Sequence, residues 1–390
     1  MADRSGSYVA RSMGPVGYRA FVPKPLPPDP PIQVDHELLS LTSLADQALG
    51  KLAATADYVP NPELFVFQYA YREAVLSSQI EGTQSSLDDL LRLEASLKAG
   101  SPEVDQEETL NYVRAMNRGL EALKGGPVTL DIVRAVHAEL MSGVRGHDKR
   151  PGEFRRTQNW IGPAGCPVEG AIFVPPPPEL LPDVLGALEW SAQPHTSLPP
   201  LFVAGLAHAQ FETIHPFSDG NGRVGRLLVT FLLIQRRVIS RPILYPSLYL
   251  KRHRAEYYDR LQQVRTMGDW EAWLKFFLRA VRVAAEDAFL RTKAVMELRE
   301  RDRFRVMEPG GAASAGVARA LDQLYQTPYT SANQLAKTLS VSQDTGARII
   351  KRLEELGILI EITGAKRDRV YRYEDYHTVL NQEAFATEAW

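Results

Sequence analysis

The segment 215–226 reads HPFSDGNGRVGR and lies between two stretches of helical periodicity. Apolar residues recur at helical spacing over 201–213 and again over 227–234. A glycine-rich turn that opens a helix exposes several backbone N–H groups, and the helix dipole adds positive potential there. Arg223 and Arg226 add two forked, permanently charged donors on the first turns. The segment therefore predicts a pair of helices joined by a polyphosphate-binding turn, with a histidine and a carboxylate beside it.

Each part of this segment has an ordinary structural interpretation when it is taken alone. A histidine at a helix end is usually structural, and Asp-Gly-Asn-Gly is usually just a turn. Asp219 alone would be interpreted as a helix N-cap or an Asx turn. Arginines at positions i and i+3 usually lie on a solvated helix face. Only the combination of all these residues within twelve positions is specific enough to indicate a function.

The whole segment resembles the signature of the Fic family, H-P-F-x-[D/E]-G-N-G-R-x-x-R, and matches it at every specified position. A second segment, SSQIEG at 77–82, resembles the family's inhibitory motif, [S/T]-x-x-x-E-[G/N]. Fic proteins are mainly protein adenylyltransferases, which move AMP from ATP to a hydroxyl side chain of a target protein. Because the second motif lies upstream of the first, the chain resembles the subclass whose inhibitory helix is N-terminal within the same polypeptide.

The resemblance assigns roles to the residues that match the signature. His215 is expected to be the base for the target hydroxyl, whose own pKa is too high for it to ionise at neutral pH. Asp219 is expected to bind Mg²⁺ between the α- and β-phosphates of ATP. Arg223 is expected to contact the β-phosphate and Arg226 the γ-phosphate. The resemblance thus predicts a nucleotide-binding set of Gly220, Asn221, Gly222, Arg223, Val224, Gly225 and Arg226. Asn221 is expected to hold the loop and also to touch phosphate.

Two further expectations for the nucleotide site depend on the same resemblance. The pattern around Tyr257 and Tyr258 favours aromatic core packing, whereas the family resemblance favours Tyr258 as part of the nucleotide pocket. Ser77, Glu81 and Gly82 are expected to form an inhibitory element in which Glu81 pairs with Arg226 and keeps the γ-phosphate of ATP from its productive place. The sequence leaves open whether Glu81 instead caps a helix or orients water for removing AMP from modified targets.

A polar segment marked by glycine and proline precedes the signature and predicts a hairpin. Its two short strands are expected within 152–162 and 171–174, with the turn near 162–165. The hairpin resembles the flap on which Fic proteins dock a target chain by strand addition, which tolerates varied target sequences. The expected docking residues are Asn159, Trp160, Ile161, Gly162, Ile172, Phe173 and Val174.

Composition excludes several classes of protein. The chain has 390 residues, a formal net charge of −2 and a single cysteine, Cys166. The charge argues against a protein that coats nucleic acid, and one cysteine excludes an intramolecular disulfide or a cysteine-based metal cluster. Apolar runs stay well short of the roughly 20 residues of a membrane span, and the first residues lack the apolar core of a secretory signal. A cytoplasmic protein without a membrane partner is expected.

The predicted fold is mainly α: a helical Fic bundle with a β-hairpin flap, followed by a winged helix-turn-helix domain. Arg348, Lys351 and Arg352 form a basic edge on the expected recognition helix 343–355, although nearby glutamates dilute its charge. Contact with DNA or with a protein, and formation of a homodimer, stay open. The expected segments are a proline-rich arm at 1–35, a helical region with the inhibitory motif at 36–125, the catalytic core at 126–300, a linker at 301–316 and the winged helix at 317–390.

The leading interpretation is a self-inhibited, Mg²⁺-dependent enzyme that transfers AMP from ATP to a serine, threonine or tyrosine of a target protein or of its own chain. One alternative is a DNA-binding regulator whose Fic unit senses nucleotide, and another is an enzyme that removes AMP. Phosphorylation or phosphocholine transfer on the same fold is disfavoured by the intact loop 220–223. A zinc hydrolase is disfavoured because His208 and His215 are seven residues apart.

Overall fold

A computed structural model describes residues 4–58, 62–94, 104–144, 149–163, 165–307, 312–326, 328–364 and 367–383. The chain is mainly α-helical, as predicted. The helices that precede the C-terminal part are α1 (His36–Tyr58), α2 (Pro62–Ile80), α3 (Leu87–Glu94), α4 (Val104–Leu123), α5 (Leu130–Leu140), α6 (Leu181–Ala192), α7 (Pro200–Ile214), α8 (Asn221–Gln235), α9 (Ser247–Arg252), α10 (Arg254–Met267) and α11 (Trp270–Met307). Within the described ranges, every helix is too short or too polar to cross a bilayer.

Helices α7 and α8 form the centre of the bundle. Every residue of α7 from Leu201 to Ile214 is buried, and α8 is buried from Arg223 to Leu233. A helix that is apolar around its whole circumference has no face to offer to water, so it takes an interior position. Helix α11 packs along α1 and also against α7. The turn between α7 and α8, which carries the signature, is therefore held by two buried helices.

Helix α2 is fixed to the same centre by a buried carboxyl group. Glu73 accepts hydrogen bonds from the Ser247 hydroxyl at 2.6 Å, from the Ser247 backbone N–H at 3.2 Å and from the Tyr112 hydroxyl at 3.2 Å. Burial raises the pKa of Glu73 to about 7. These bonds tie α2 to α9 and to α4 one turn before the inhibitory motif.

The N-terminal arm predicted at 1–35 contains a β-hairpin over residues 6–23, so the prediction of an irregular arm was wrong for that part. Strands β1 (Gly6–Met13) and β2 (Val16–Pro23) pair in antiparallel register. Gly14 supplies the positive φ of 61° that the tight turn requires. The prolines that suggested an extended arm begin only where β2 ends, and both strands carry the β-branched and aromatic residues typical of a hairpin.

The linker predicted at 301–316 is also largely helical. Helix α11 continues to Met307, because Asp302 and Val306 are buried and Asp302 pairs with Arg301 and Arg305 at 2.8 Å. Helix α12 (Ala312–Leu324) begins within the second part of that stretch. The alanines of this stretch suggested a linker, but alanine is also the residue with the highest helix propensity. Residues 308–311 lie outside the described residues.

Residues 312–383 form what is called here the C-terminal module. After α12, this module contains six further helices and strands among the described residues. These are β3 (Tyr329–Ser331), α13 (Ala332–Leu339), α14 (Gln343–Glu355), β4 (Leu359–Glu361), β5 (Val370–Tyr373) and α15 (Glu374–Asn381). The strands form one antiparallel sheet in the order β3-β5-β4. This sequence of elements is compatible with the winged helix-turn-helix interpretation, which stays a prediction.

Candidate active site

His215 is the first residue after α7 and has a left-handed backbone conformation. Its φ is 49° and its ψ is 59°, and its backbone N–H donates to the Phe211 carbonyl at 2.9 Å. Such a conformation costs a non-glycine residue of the order of 1–2 kcal/mol, so neighbouring contacts must hold it. Phe217, two residues later, is fully buried and anchors the other side of the turn.

Two side chains from the loop 149–163 hold the end of α7. Arg155, which is buried, donates to the His215 carbonyl at 3.0 Å and to the Ile214 carbonyl at 3.4 Å. Asn159 donates to the carbonyls of His215 at 3.3 Å and Phe217 at 3.0 Å. These bonds satisfy carbonyls that a helix C-terminus leaves without intrahelical partners. The sequence analysis did not single out Arg155, because no local pattern links it to the signature.

The imidazole of His215 is neutral at physiological pH in this environment. Burial, together with the positive charges of Arg265 and Arg155, lowers the pKa of His215 to about 4. The negative charge of Glu81 acts in the opposite direction but is the weaker influence. A neutral imidazole can accept a proton, which is the requirement for a general base.

The turn after His215 is held from within the protein. Asn221 accepts from the Phe217 backbone N–H and donates to the Phe217 carbonyl, both at 2.8 Å. The ring of His137 stacks on that of Phe217 with centroids 3.7 Å apart. Because His137 Nδ1 accepts from a backbone N–H at 2.8 Å, its Nε2 is the donor to the Asp219 carbonyl at 3.1 Å. Asn221 is buried and its side chain holds the loop, as expected, whereas its contact with phosphate stays a prediction.

Val224 and Gly225 were grouped with the nucleotide-binding residues, but they are buried in α8. The Val224 N–H donates to the Gly220 carbonyl at 3.1 Å and is thus not directed at a ligand. A Cβ on Gly225 would lie 2.6 Å from Glu212 Oε1 on the facing helix α7. Gly225 is therefore a close-packing position between α7 and α8, and a role of either residue in nucleotide binding stays a prediction.

Arg223 is paired with a carboxylate that the sequence analysis missed. Its Nη1 lies 3.4 Å from Oε2 of Glu108, and both side chains are almost fully buried. Glu108 belongs to α4, more than one hundred residues before Arg223, so no spacing in the sequence relates the two. The contact places a negative charge beside an arginine that is expected to bind phosphate.

Arg226 is held by both key residues of the inhibitory motif. Its Nη2 lies 2.6 Å from Oε1 of Glu81, and its Nε donates to the Ser77 hydroxyl at 2.7 Å. Nη2 also donates to the Ser77 carbonyl at 3.1 Å. Burial by itself would raise the pKa of Glu81, but the charge of Arg226 and its hydrogen bond outweigh burial and lower it. The predicted pair between Glu81 and an arginine of the signature is present, with Glu81 ionised.

Two glycines permit this contact, one by the space it leaves and the other by its backbone conformation. A Cβ on Gly222 would lie 2.2 Å from Glu81 Oε1, so no side chain fits there while Glu81 is in place. Gly82 has a φ of 102°, which a residue with a side chain adopts only with strain. The turn that ends α2 is closed by the N–H groups of Glu81 and Thr83, which both donate to the Ser78 carbonyl.

A cavity of ≈ 290 Å³ adjoins these groups and is lined by Glu81, Glu108, Asp219, Gly220 and Arg223. Asp219 accepts from the Gly220 N–H at 2.7 Å and lies 3.4 Å from the Lys149 ammonium group. Its side chain is 38% exposed, so a cation could reach it. The described residues contain no cluster of three or more metal-binding side chains. Asp219 fits a hard cation that takes most of its ligands from phosphate and water.

Comparison with known families identifies the domain that carries this site. The Fic/DOC family N-terminal domain matches residues 39–121, and the Fic/DOC family domain matches residues 127–233. Residues 39–233 therefore carry the N-terminal and central domains of the Fic/DOC family. The Fic domain includes His215 and both arginines of the signature, and the N-terminal match includes the inhibitory motif.

Curated relatives of the Fic domain are named protein adenylyltransferase Fic. The relative from Culex quinquefasciatus is 31% identical over 50% of this chain and 37% of its own length, and that from Aedes aegypti is 31% identical over 63% and 44%. The chain thus spans less than half the length of these two relatives. A solved Fic family protein from Desulfovibrio desulfuricans G20, 20% identical, covers 88% of this chain and 97% of its own with a TM-score of 0.58, which shows the fold.

The two tyrosines after the Fic signature have different environments. Tyr257 is buried, and its hydroxyl lies 2.8 Å from Nε2 of His208. Tyr258 is 43% exposed, with the Arg254 guanidinium 5.6 Å from its ring centroid. Core packing is therefore the right interpretation for Tyr257, whereas the place of Tyr258 in a nucleotide pocket stays a prediction.

The flap of the Fic domain lacks the two strands predicted within 152–162 and 171–174. Only Ile161 and Phe173 form an antiparallel bridge there, with the Ile161 N–H donating at 2.8 Å and the Phe173 N–H at 3.1 Å. Hydrogen bonds from Arg155 and Asn159 to the signature loop draw the first segment away from a regular ladder. Pairing in this segment is set by these tertiary contacts, which the local pattern did not reveal.

The predicted docking residues of the flap are divided between surface and interior. Ile172 is 65% exposed, whereas Phe173 and Val174 are buried. The Val174 carbonyl accepts from the Phe21 N–H of β2 at 2.8 Å, so the N-terminal hairpin adjoins this side of the flap. The side chain of Trp160 donates to the Cys166 carbonyl, and a Cβ on Gly162 would meet the Cys166 sulfur at 2.6 Å. Ile172 is thus an exposed member of the predicted set, and the docking role of the set stays a prediction.

Proposed function

We propose that this protein is a self-inhibited adenylyltransferase that transfers AMP from ATP to a serine, threonine or tyrosine hydroxyl of a target protein. The observation that carries the proposal is a neutral imidazole, His215, on the turn that opens α8, whose Arg226 is held by Glu81 at 2.6 Å. The names of the curated relatives support the same reaction. Modification of the chain's own hydroxyl groups is included in the proposal.

In this reaction His215 accepts the proton of the target hydroxyl as its oxygen attacks the α-phosphorus of ATP. The new bond joins that oxygen to phosphorus, and the bond to the bridging oxygen of the β-phosphate breaks, so that pyrophosphate leaves. Arg155 and Asn159 hold the His215 carbonyl and so fix the base. Positioning of this kind supplies much of the rate enhancement in phosphoryl transfer.

The phosphates are bound by the turn that opens α8. Backbone N–H groups at a helix N-terminus and arginine guanidinium groups stabilise the negative charge of a polyphosphate. Arg223 would turn from Glu108 toward the β-phosphate, and Arg226 would exchange Glu81 for the γ-phosphate. Asp219 would hold Mg²⁺, which neutralises charge on the α- and β-phosphates when it is bound.

The label that is transferred distinguishes this reaction from phosphorylation. The Glu81→Gly variant is incubated with Mg²⁺, cell lysate and ATP labelled on either the α- or the γ-phosphate. We expect label that depends on His215, meaning label that is lost when the variant also carries His215→Ala, only from the α-labelled nucleotide. Kinases of the lysate incorporate γ-label with or without His215. Incorporation from γ-labelled ATP that depends on His215 would therefore indicate a kinase and contradict the proposal.

Removal of AMP is a second candidate, because Glu81 lines the same cavity as Asp219 and its side chain is 36% exposed. A carboxylate in that place could orient a water molecule toward a phosphodiester. The test is to add wild-type protein to a target already modified by the Glu81→Gly variant. Release of AMP would support this second reaction. A stable adduct would indicate that Glu81 acts only in inhibition.

The remaining partners are proposed on narrower grounds. The basic side chains of Arg348 and Lys351 are exposed on α14. They would contact DNA phosphates through a salt-dependent interaction.

The single cysteine is typical of a protein that works in a reducing compartment such as the cytoplasm. Gel shifts at several salt concentrations test the contact with DNA, and sedimentation tests whether the protein is a homodimer.

A further inference from the structure

The C-terminal module contacts α2, the helix that ends in the inhibitory motif. Gln68 of α2 donates to the Tyr325 carbonyl at 3.3 Å. One turn later, Arg72 donates to the carbonyls of Leu380, Gln382 and Glu383 at 3.1, 3.1 and 2.7 Å. All four acceptors are main-chain groups of the module, and three of them lie at the end of α15.

The contact made by Arg72 is chemically specific. The last carbonyls of a helix have no intrahelical partners and carry partial negative charge, which a buried guanidinium satisfies with several donors. Arg72 is buried, and Arg291 of α11 donates to the Gln382 carbonyl at 2.9 Å from the other side. The C-terminus of α15 therefore contacts both α2 and α11, and the helix with the inhibitory motif donates three hydrogen bonds to it.

A second contact follows the motif directly. Asp88 of α3 accepts from Nε2 of His377 at 2.6 Å and from the hydroxyl of Tyr329. Arg92, one turn later, pairs with Asp88 at 2.8 Å and lies 5.3 Å from the centroid of the Tyr329 ring. The module thus holds the chain on both sides of residues 77–82.

These contacts affect the distance between Glu81 and Arg226, which defines the proposed inhibited state. Arg72 precedes Ser77 by five residues, about 7.5 Å along a rigid helix, so a displacement of one moves the other. The Glu81–Arg226 contact is 2.6 Å long, and a shift of α2 by about 2 Å would break it. We propose that docking of the C-terminal module on α2 and α3 keeps Glu81 on Arg226, so that the module is part of the inhibitory device. The proposal rests on the inhibitory role of Glu81 given above.

The proposal predicts where an activating signal would act. A ligand or partner that binds the module through its α15 and β3 face would compete with Arg72 and Asp88 for that face. Loss of the contact frees α2 at Gln68 and Arg72 while its attachment through Glu73 to Ser247 remains. The end of α2 could then tilt about this remaining attachment and carry Glu81 away from Arg226, without unfolding of the central bundle.

The test compares two arginines that both hold the module. Arg72→Met removes the contact with α2, and Arg299→Met removes the ion pair of α11 with Asp322 of α12, 3.0 Å long, which does not involve α2. In the full chain we expect Arg72→Met to raise AMP incorporation about tenfold and Arg299→Met to leave it within twofold of wild type. In the Glu81→Gly background, Arg72→Met should add nothing. No increase, or the same increase in both backgrounds, would overturn the proposal.

A second readout keeps the proposal testable whatever reaction the enzyme catalyses. Hydrogen exchange of the amides of 73–82 is expected to accelerate in Arg72→Met and to stay at the wild-type rate in Arg299→Met. Asp88→Asn, which acts from the other side of the motif, serves if Arg72→Met does not fold. Unchanged exchange in a folded variant would overturn the role of the module, whereas accelerated exchange without AMP transfer from Glu81→Gly would overturn only the proposed function.

Discussion

Arg226 and His215 depend on their surroundings in opposite ways. Arg226 is fully buried and its charge is balanced by Glu81 and by two oxygens of Ser77. His215 is surrounded by positive charge and stays neutral. In the proposed enzyme, Arg226 would therefore be kept from its ligand, while His215 would be ready to accept a proton. On this proposal, the inhibited state would differ from an active one mainly at Arg226.

Ser77 should share the inhibitory role with Glu81. Ser77→Ala removes the hydroxyl that accepts from Arg226 Nε, and a hydrogen bond to a charged group contributes about 1.5–3 kcal/mol. We expect AMP incorporation to rise about tenfold, to a rate between those of wild type and Glu81→Gly. Ser78→Ala, in the next position, is the matched control and should leave the rate unchanged. A rate for Ser77→Ala equal to that of wild type would show that Glu81 acts alone.

The pKa of His215 gives a prediction for pH dependence. Because that pKa is lowered to about 4, the base is already deprotonated throughout the range from pH 6 to 8. The rate of AMP transfer by the Glu81→Gly variant should therefore fall through protonation of His215 only as the pH falls toward 4. Arg155→Met removes one of the charges that lower this pKa and should move the acid limb upward, whereas Arg155→Lys should not. A midpoint near 6.5 in the Glu81→Gly variant would contradict this description of the site.

At the scale of elements, the two buried helices followed from periodicity, whereas the path of the flap did not. The apolar residues that surround α7 and α8 predicted two buried helices, and these are found at Pro200–Ile214 and Asn221–Gln235. The flap was predicted as two strands because its glycines and prolines are typical of the turns that bound the strands of a hairpin. Its path depends instead on bonds from Arg155 and Asn159 to a loop some sixty residues away, which a local pattern cannot contain.

The N-terminal hairpin is a packed element and should contribute to stability. Phe21 of β2 is buried against Phe173 of the flap, with ring centroids 5.9 Å apart. Phe21→Ala should lower the free energy of unfolding by about 3–5 kcal/mol, measured by urea denaturation. Tyr8→Ala, at a position of β1 that is 42% exposed, should cost much less. Equal small effects of both substitutions would show that the hairpin is not firmly docked.

At the scale of the whole molecule, the site is assembled from parts distant in sequence. The signature supplies His215 and Arg226, the end of α2 supplies Glu81, and α4 supplies Glu108. The sequence predicted His215, Arg226 and Glu81, and the pairing of Glu81 with Arg226, because the two segments that contain them match known motifs. It did not predict Glu108, Arg155 or the contact between Arg72 and α15, because these partners are joined only by the fold.

The central claim is that the contact between Glu81 and Arg226 suppresses AMP transfer. The most direct test is the initial rate of AMP incorporation from α-labelled ATP with Mg²⁺, measured side by side for wild type and Glu81→Gly at equal concentrations. Loss of a contact that shifts the equilibrium by only about 1.4 kcal/mol changes a population tenfold, so an increase of at least that size is predicted. Equal rates for the two proteins would contradict the claim.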